Sequence, residues 1–99
     1  MQIQKTEENG TFILSLEGRL DTVTSPEFQE ILIPILDEAK DVRLNFEKLD
    51  YVSSAGLRIL LMGQKAASAK GGSLVLTGVS SEIMEVLDMT GFTDLLTIE

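Results

Sequence analysis

Ninety-nine residues are enough for one hydrophobic core and too few for two, and a hydrophobic content of 43% lets the chain fold without covalent staples. The chain has no cysteine and no histidine, which removes thiol chemistry, the imidazole of a Ser-His-Asp triad and the usual ligands of zinc. Its net charge of −8, from 16 acidic and 8 basic residues, repels polyanions at long range, so nucleic acid and anionic membrane surfaces are poor direct partners.

Taken in chain order, Ile3 to Thr6 and Thr11 to Glu17 read as strands around Glu8-Asn9-Gly10, a strong hairpin signal. Phe12, Leu14 and Leu16 share one face of the second strand. Ser25-Pro26 then reads as a cap followed by proline at the first helical position, opening a helix to about Glu38. Pro34 lies inside that helix and predicts a kink or a division there. It also interrupts the longest apolar run, Ile31 to Leu36, which is far shorter than the ~20 residues of a membrane helix. No signal peptide is visible. The expected location is cytoplasmic, with no membrane insertion.

Val42 to Phe46 alternates apolar and polar residues as a third strand, and Glu47 to Val52 reads as a loop. A long helix follows the serine pair Ser53-Ser54 and runs to about Lys70, where Gly71-Gly72 ends it. Ser73 to Thr77 is a short apolar strand. Ser80 or Ser81 caps a third helix that stops near Gly91, a left-handed C-terminal cap, and Leu95 to Ile98 closes the chain as a strand. Helices between successive strands imply right-handed crossovers. The predicted fold class is therefore α/β, a single domain of mixed, mostly parallel sheet with helices mainly on one face.

The chemistry concentrates at Tyr51-Val52-Ser53-Ser54-Ala55-Gly56-Leu57-Arg58. Amides at a helix N-terminus are unpaired and carry the positive end of the helix dipole, so a hydroxyl there suits a cap, and equally suits a phosphate. At 100° per residue Ser54, Arg58 and Lys65 fall on one stripe with Met62 and Ala69 at its edge. Ile59, Leu60, Gly63, Ala66 and Ala67 lie on the far side, toward the sheet. Between Ser53 and Lys70 there are three basic residues and no acidic one, a locally basic helix on an acidic body. As a plain N-cap, either serine is worth ~1 kcal/mol.

The whole chain resembles the STAS domains of bacterial anti-sigma factor antagonists (anti-anti-sigma factors). The likeness is carried in order by Leu16-Glu17-Gly18-Arg19-Leu20-Asp21 with Thr24, by Leu44-Asn45-Phe46 with Leu49, by Tyr51 to Leu57, by Gly71-Gly72 before a strand, and by Met89-Thr90-Gly91-Phe92. The resemblance implies a phosphoprotein that regulates transcription through a sigma factor. Its partner would be an anti-sigma factor that is also a serine kinase, bound when one serine is free and released when that serine is phosphorylated. A metal-dependent phosphoserine phosphatase would restore binding. The modified serine stands two places before the glycine, which is Ser54. Residues at strand ends beside it correspond to Asp21 and Asn45, so that Asp21, Asn45, Ser53, Gly56, Arg58 and Met62 become the expected partner and kinase contacts. The resemblance implies no catalytic residue, metal or cofactor of the chain's own. Two positions depart from the family pattern: Ser53 stands where aspartate is frequent, and Ala55 where a second hydroxyl is frequent. Competing readings are an unphosphorylated STAS subunit of a lipid or solute transport complex, an enzyme using Ser54 as nucleophile, and a scaffold whose serine only caps a helix.

Overall fold

The computed structural model describes residues 1–99. Its elements are β1 (Gln2–Glu8), β2 (Thr11–Leu20), α1 (Ser25–Glu38), β3 (Asp41–Val52), α2 (Ser54–Ala69), β4 (Ser73–Thr77), α3 (Ser81–Thr90), a 3-10 turn at Phe92–Asp94 and β5 (Thr97–Ile98). The sheet order is β1-β2-β3-β4-β5, with β1 antiparallel to β2 and every other pair parallel. Each parallel crossover steps to the next strand in the same direction, so right-handed connections put all three helices on one face of the sheet. The hairpin closes at Asn9 and Gly10, both with positive φ, as a two-residue turn of the primed type requires.

One apolar layer joins the sheet to the helices. Leu14, Leu16 and Leu20 of β2, Val42, Leu44 and Phe46 of β3 and Leu74 and Leu76 of β4 are buried against Phe28 and Leu32 of α1, Leu57 and Leu60 of α2 and Ile83 and Leu87 of α3. The opposite sheet face is polar and open, and carries an Arg43–Glu99 ion pair. Lys70, at the end of α2, donates to the carbonyls of Leu36 and Asp37, which the end of α1 leaves without helical partners.

Four sequence expectations change. The segment Glu47 to Val52 is strand, because β3 continues to Val52 beside β2. Two register shifts place one extra β3 residue between the pairs Ser15↔Asn45 and Glu17↔Lys48, and another between Gly18↔Leu49 and Arg19↔Tyr51. Buried positions therefore step by three, through Phe46, Leu49 and Val52, and the period of two disappears. Helix α1 is continuous across Pro34. The proline is exposed, as is Glu30, whose carbonyl loses its helical donor on the solvent side of the helix. Third, α1 is entered from Thr24 and includes Ser25. The Asp21 turn already winds the backbone into helical form at Thr24, and Ser25 points inward with an unpartnered hydroxyl. The third helix is capped by Ser80, which accepts from the Ile83 amide, and ends at left-handed Gly91. The closing strand is shorter than expected, since Leu95 and Leu96 fold into the turn before it.

Candidate functional site

Helix α2 begins where β2 and β3 end together. The Ser53 amide donates to the Leu20 carbonyl at 2.9 Å, so the residue before the helix is hydrogen-bonded to the last residue of β2. Ser53 is extended, at φ −93° and ψ 174°, and its hydroxyl accepts from the Gly56 amide while its carbonyl accepts from Leu57. That is the geometry of an N-cap, so the cap is Ser53. Ser54 is the first helical residue, exposed, with its hydroxyl free of the capping role.

Gly56 is the reason the helix can start there. A methyl group at this position would lie 2.7 Å from Leu20 Cγ and 3.0 Å from the Leu20 carbonyl oxygen. The first turn of α2 thus rests directly on the end of β2, and no side chain fits between. Gly63 repeats the arrangement two turns later, where a methyl would approach Leu74 at 2.9 Å and Leu32 at 3.0 Å. The sheet side of α2 is buried at Gly56, Leu57, Ile59, Leu60, Gly63 and Ala67, and Ala66 is half-buried. Arg58, Lys65 and Ala69 are exposed, and Met62 keeps 39% of its surface in solvent. The stripe read from helical spacing is the surface of the folded protein.

Asp21 stands one residue beyond Leu20, so the same stretch of backbone holds it beside the helix start. Its carboxylate accepts from the amides of Val23 and Thr24, each at 3.0 Å, and from the Thr24 hydroxyl at 3.2 Å. Hydrogen bonding to the charged form, above all from the Thr24 amide and with further help from its hydroxyl, the Val23 amide and nearby Arg19, holds its pKa below the ordinary Asp value against an opposing desolvation effect. The Asp21 turn projects Val23, 84% exposed, into solvent. Arg19 lies over the Tyr51 ring at 4.2 Å from its centroid, across the β2–β3 ladder.

The structure places Asp21, Ser53 and Ser54 where β2 and β3 end, sets Arg58 and Met62 about one and two turns further along the exposed side of α2, buries Gly56 and places Asn45 elsewhere. Gly56 is buried beneath the serine, so its part is to position the helix, and it offers no surface to a partner. Asn45 is paired with Ser15 and Thr77 on the open sheet face, where its side-chain oxygen accepts from the Glu47 amide. Six β3 residues separate it from Val52, roughly 20 Å of strand. The resemblance implies a strand-end position for Asn45, whereas β3 continues past it to Val52. Two surface residues were not anticipated, Val23 and Tyr51. An apolar residue between two threonines in a turn was the available signal for Val23; nothing local marked the Tyr51–Arg19 contact, which depends on the register of two strands.

Comparison with known proteins places this geometry in a family. The model of the STAS domain matches residues 2–99. An anti-sigma-B factor antagonist of Staphylococcus aureus is 31% identical over 97 residues, covering 97% of this chain and 90% of that protein. The anti-sigma factor antagonist SpoIIAA has a solved unphosphorylated structure that superposes with a TM-score of 0.78 at 18% identity, covering 99% of this chain and 87% of SpoIIAA. The phosphorylated form of SpoIIAA, from Bacillus, gives 0.77 at 19% identity over 99% and 91%. A sulfate transporter family protein of Wolinella succinogenes shares the fold as well, at 0.79 and 23% identity over 93% and 75%. With one family model spanning almost every residue and a full-length relative above 30% identity, the chain belongs to the STAS domain family.

Proposed function

We propose that this protein is an anti-sigma factor antagonist, a binding switch that engages an anti-sigma factor with serine kinase activity when Ser54 is free and releases it when Ser54 is phosphorylated. One observation carries the reading: Ser54 is exposed on a fixed helix start, and the capping duty that would occupy it falls to Ser53. The S. aureus relative, an antagonist of anti-sigma-B factor, supports the partner class. In the modification step the Ser54 Oγ attacks the γ-phosphorus of ATP bound to the kinase. The bond to the β-phosphate oxygen breaks, ADP leaves, and the hydroxyl proton passes to a base of the kinase. A phosphoserine phosphatase would hydrolyse the ester and regenerate the hydroxyl. The chain acts as substrate and ligand in both steps, so no enzymatic residue of its own is required.

The added group carries a charge near −2 at pH 7. Placed at the start of α2, next to the end of β2 that leads into Asp21, it would enter an interface complementary to a neutral hydroxyl, and like-charge juxtaposition with acidic groups there costs several kcal/mol. The unphosphorylated and phosphorylated forms of SpoIIAA both share the fold of this chain, with TM-scores of 0.78 and 0.77. The reading is tested by incubation with ATP and the serine kinase recovered by affinity capture on this protein, followed by peptide mapping. One phosphate on Ser54, absent from Ser54→Ala, is the expected result. Phosphate on Ser53 with Ser54→Ala still a full substrate would refute the assignment.

A further inference from the structure

From the placement of charge on α2 we infer that Arg58 is the cation that holds the Ser54 phosphate, so that modification discharges the basic stripe of the helix. The inference rests on the phosphorylation reading and adds the residue through which the charge is absorbed. Ser54 and Arg58 are four positions apart in α2, a spacing at which side chains meet. Helical side chains lean toward the N-terminus, so a long side chain at position 58 lies back over the turn that Ser54 begins.

Competition for that guanidinium is absent. The two ion pairs of the chain are Arg19–Asp21 and Arg43–Glu99, and Arg58 is in neither. The first turn of α2 has no acidic residue, and none occurs anywhere from Tyr51 to Ser81. The other cations are committed or distant. Lys70 is engaged by the carbonyls at the end of α1, and Lys65 lies 11 residues from Ser54, about 16 Å along the axis. On the flanking strand ends Arg19 stacks on Tyr51, while Asp21 and Asp50 repel a phosphate. Arg58 is thus the one free cation within reach, and its planar fork matches two phosphate oxygens.

The consequence is specific to the stripe. In the unmodified chain Arg58 presents a positive charge next to Met62 on the exposed side of α2. In the modified chain the same charge is spent internally, and a partner group that had met the cation would face the phosphate.

Phosphoserine incorporated at position 54 during translation allows a direct test by phosphorus NMR, with no partner present. Phosphoserine ordinarily loses its second proton near pH 6. Pairing with Arg58 favours the dianion, so the midpoint of the titration should lie about half a pH unit below that of the Arg58→Gln phosphoprotein, ~0.7 kcal/mol at 1.36 kcal/mol per unit. Arg58→Lys should recover part of the shift, and the difference should shrink in high salt. Lys65→Gln removes the same charge at a distance and should leave the midpoint in place. Equal midpoints for the parent and Arg58→Gln, or an equal change from Lys65→Gln, would overturn the proposal. Failure of the kinase to modify Ser54 would instead overturn the phosphorylation reading, while this titration would still report on the pair.

Discussion

The two sides of α2 follow different rules. Toward the sheet, glycines at 56 and 63 let the helix backbone lie directly against Leu20, Leu32 and Leu74, and Leu57 and Leu60 fill the space between. Toward solvent the same helix carries Ser54, Arg58, Met62 and Lys65, none of which the core needs. One side determines where the serine is, and the other determines what meets it. A chain can therefore alter its partner through the outer stripe while leaving position untouched, and cannot alter the inner side without moving the serine.

Substitutions that cross this division should separate cleanly. The largest effect is expected from Leu60→Ala, which leaves a cavity under the helix at a fully buried position and should cost ~2–5 kcal/mol in urea unfolding. Next comes Gly56→Val, an overpacking change worth ~1–3 kcal/mol. It should also slow modification of Ser54, because the first turn must lift from Leu20; an unchanged phosphorylation rate would show that the position of the turn does not matter. On the outer side Met62→Asp and Arg58→Glu should each weaken anti-sigma factor binding more than tenfold, ~1.4 kcal/mol, while stability stays within ~0.5 kcal/mol. Glu38→Lys, at the far end of α1, is the control; an equal loss there would place the interface elsewhere.

Smaller effects sharpen the comparison within the serine pair. Ser53→Ala loses the cap and should cost ~1 kcal/mol, whereas Ser54→Ala should stay within ~0.5 kcal/mol and abolish modification. Equal costs measured by thermal unfolding would mean that the capping role is shared. The least effect concerns acid. The pKa of Asp21 is lowered in the fold, so its ionised form contributes stability that is present above the unfolded value and lost as pH falls through the folded one. Asp21→Asn should make the decline of stability below about pH 4 shallower, measured as the unfolding midpoint against pH.

Sequence periodicity reached the outer stripe because a helix is a local object: spacing alone separates Arg58 and Lys65 from Leu60 and Gly63. The hairpin was legible for the same reason, Asn9-Gly10 being a two-residue instruction. The position of Asn45 was not, since it depends on two extra residues in β3 that show only when β2 is laid beside it. Tyr51 shares that difficulty, because Arg19 meets it only across the paired strands. Val23 does not: its turn is local, held by amides that donate to the Asp21 carboxylate. The start of α1 was misplaced by one residue because the Asp21 turn does the work assigned to a serine cap.

The paired irregularities of β3 have a consequence for how such a chain tolerates change in length. Each extra residue inverts the alternation of the strand, and the second inversion cancels the first, so that Val52 returns to the core and Ser53 reaches the Leu20 carbonyl. Loss of one residue between Glu47 and Tyr51 would leave the strand out of phase, with Val52 in water and the serine turned away from its surface. Loss of two would restore the phase at once. The segment before the serine thus counts in twos, and a natural variant that shortens it is expected to drop a pair.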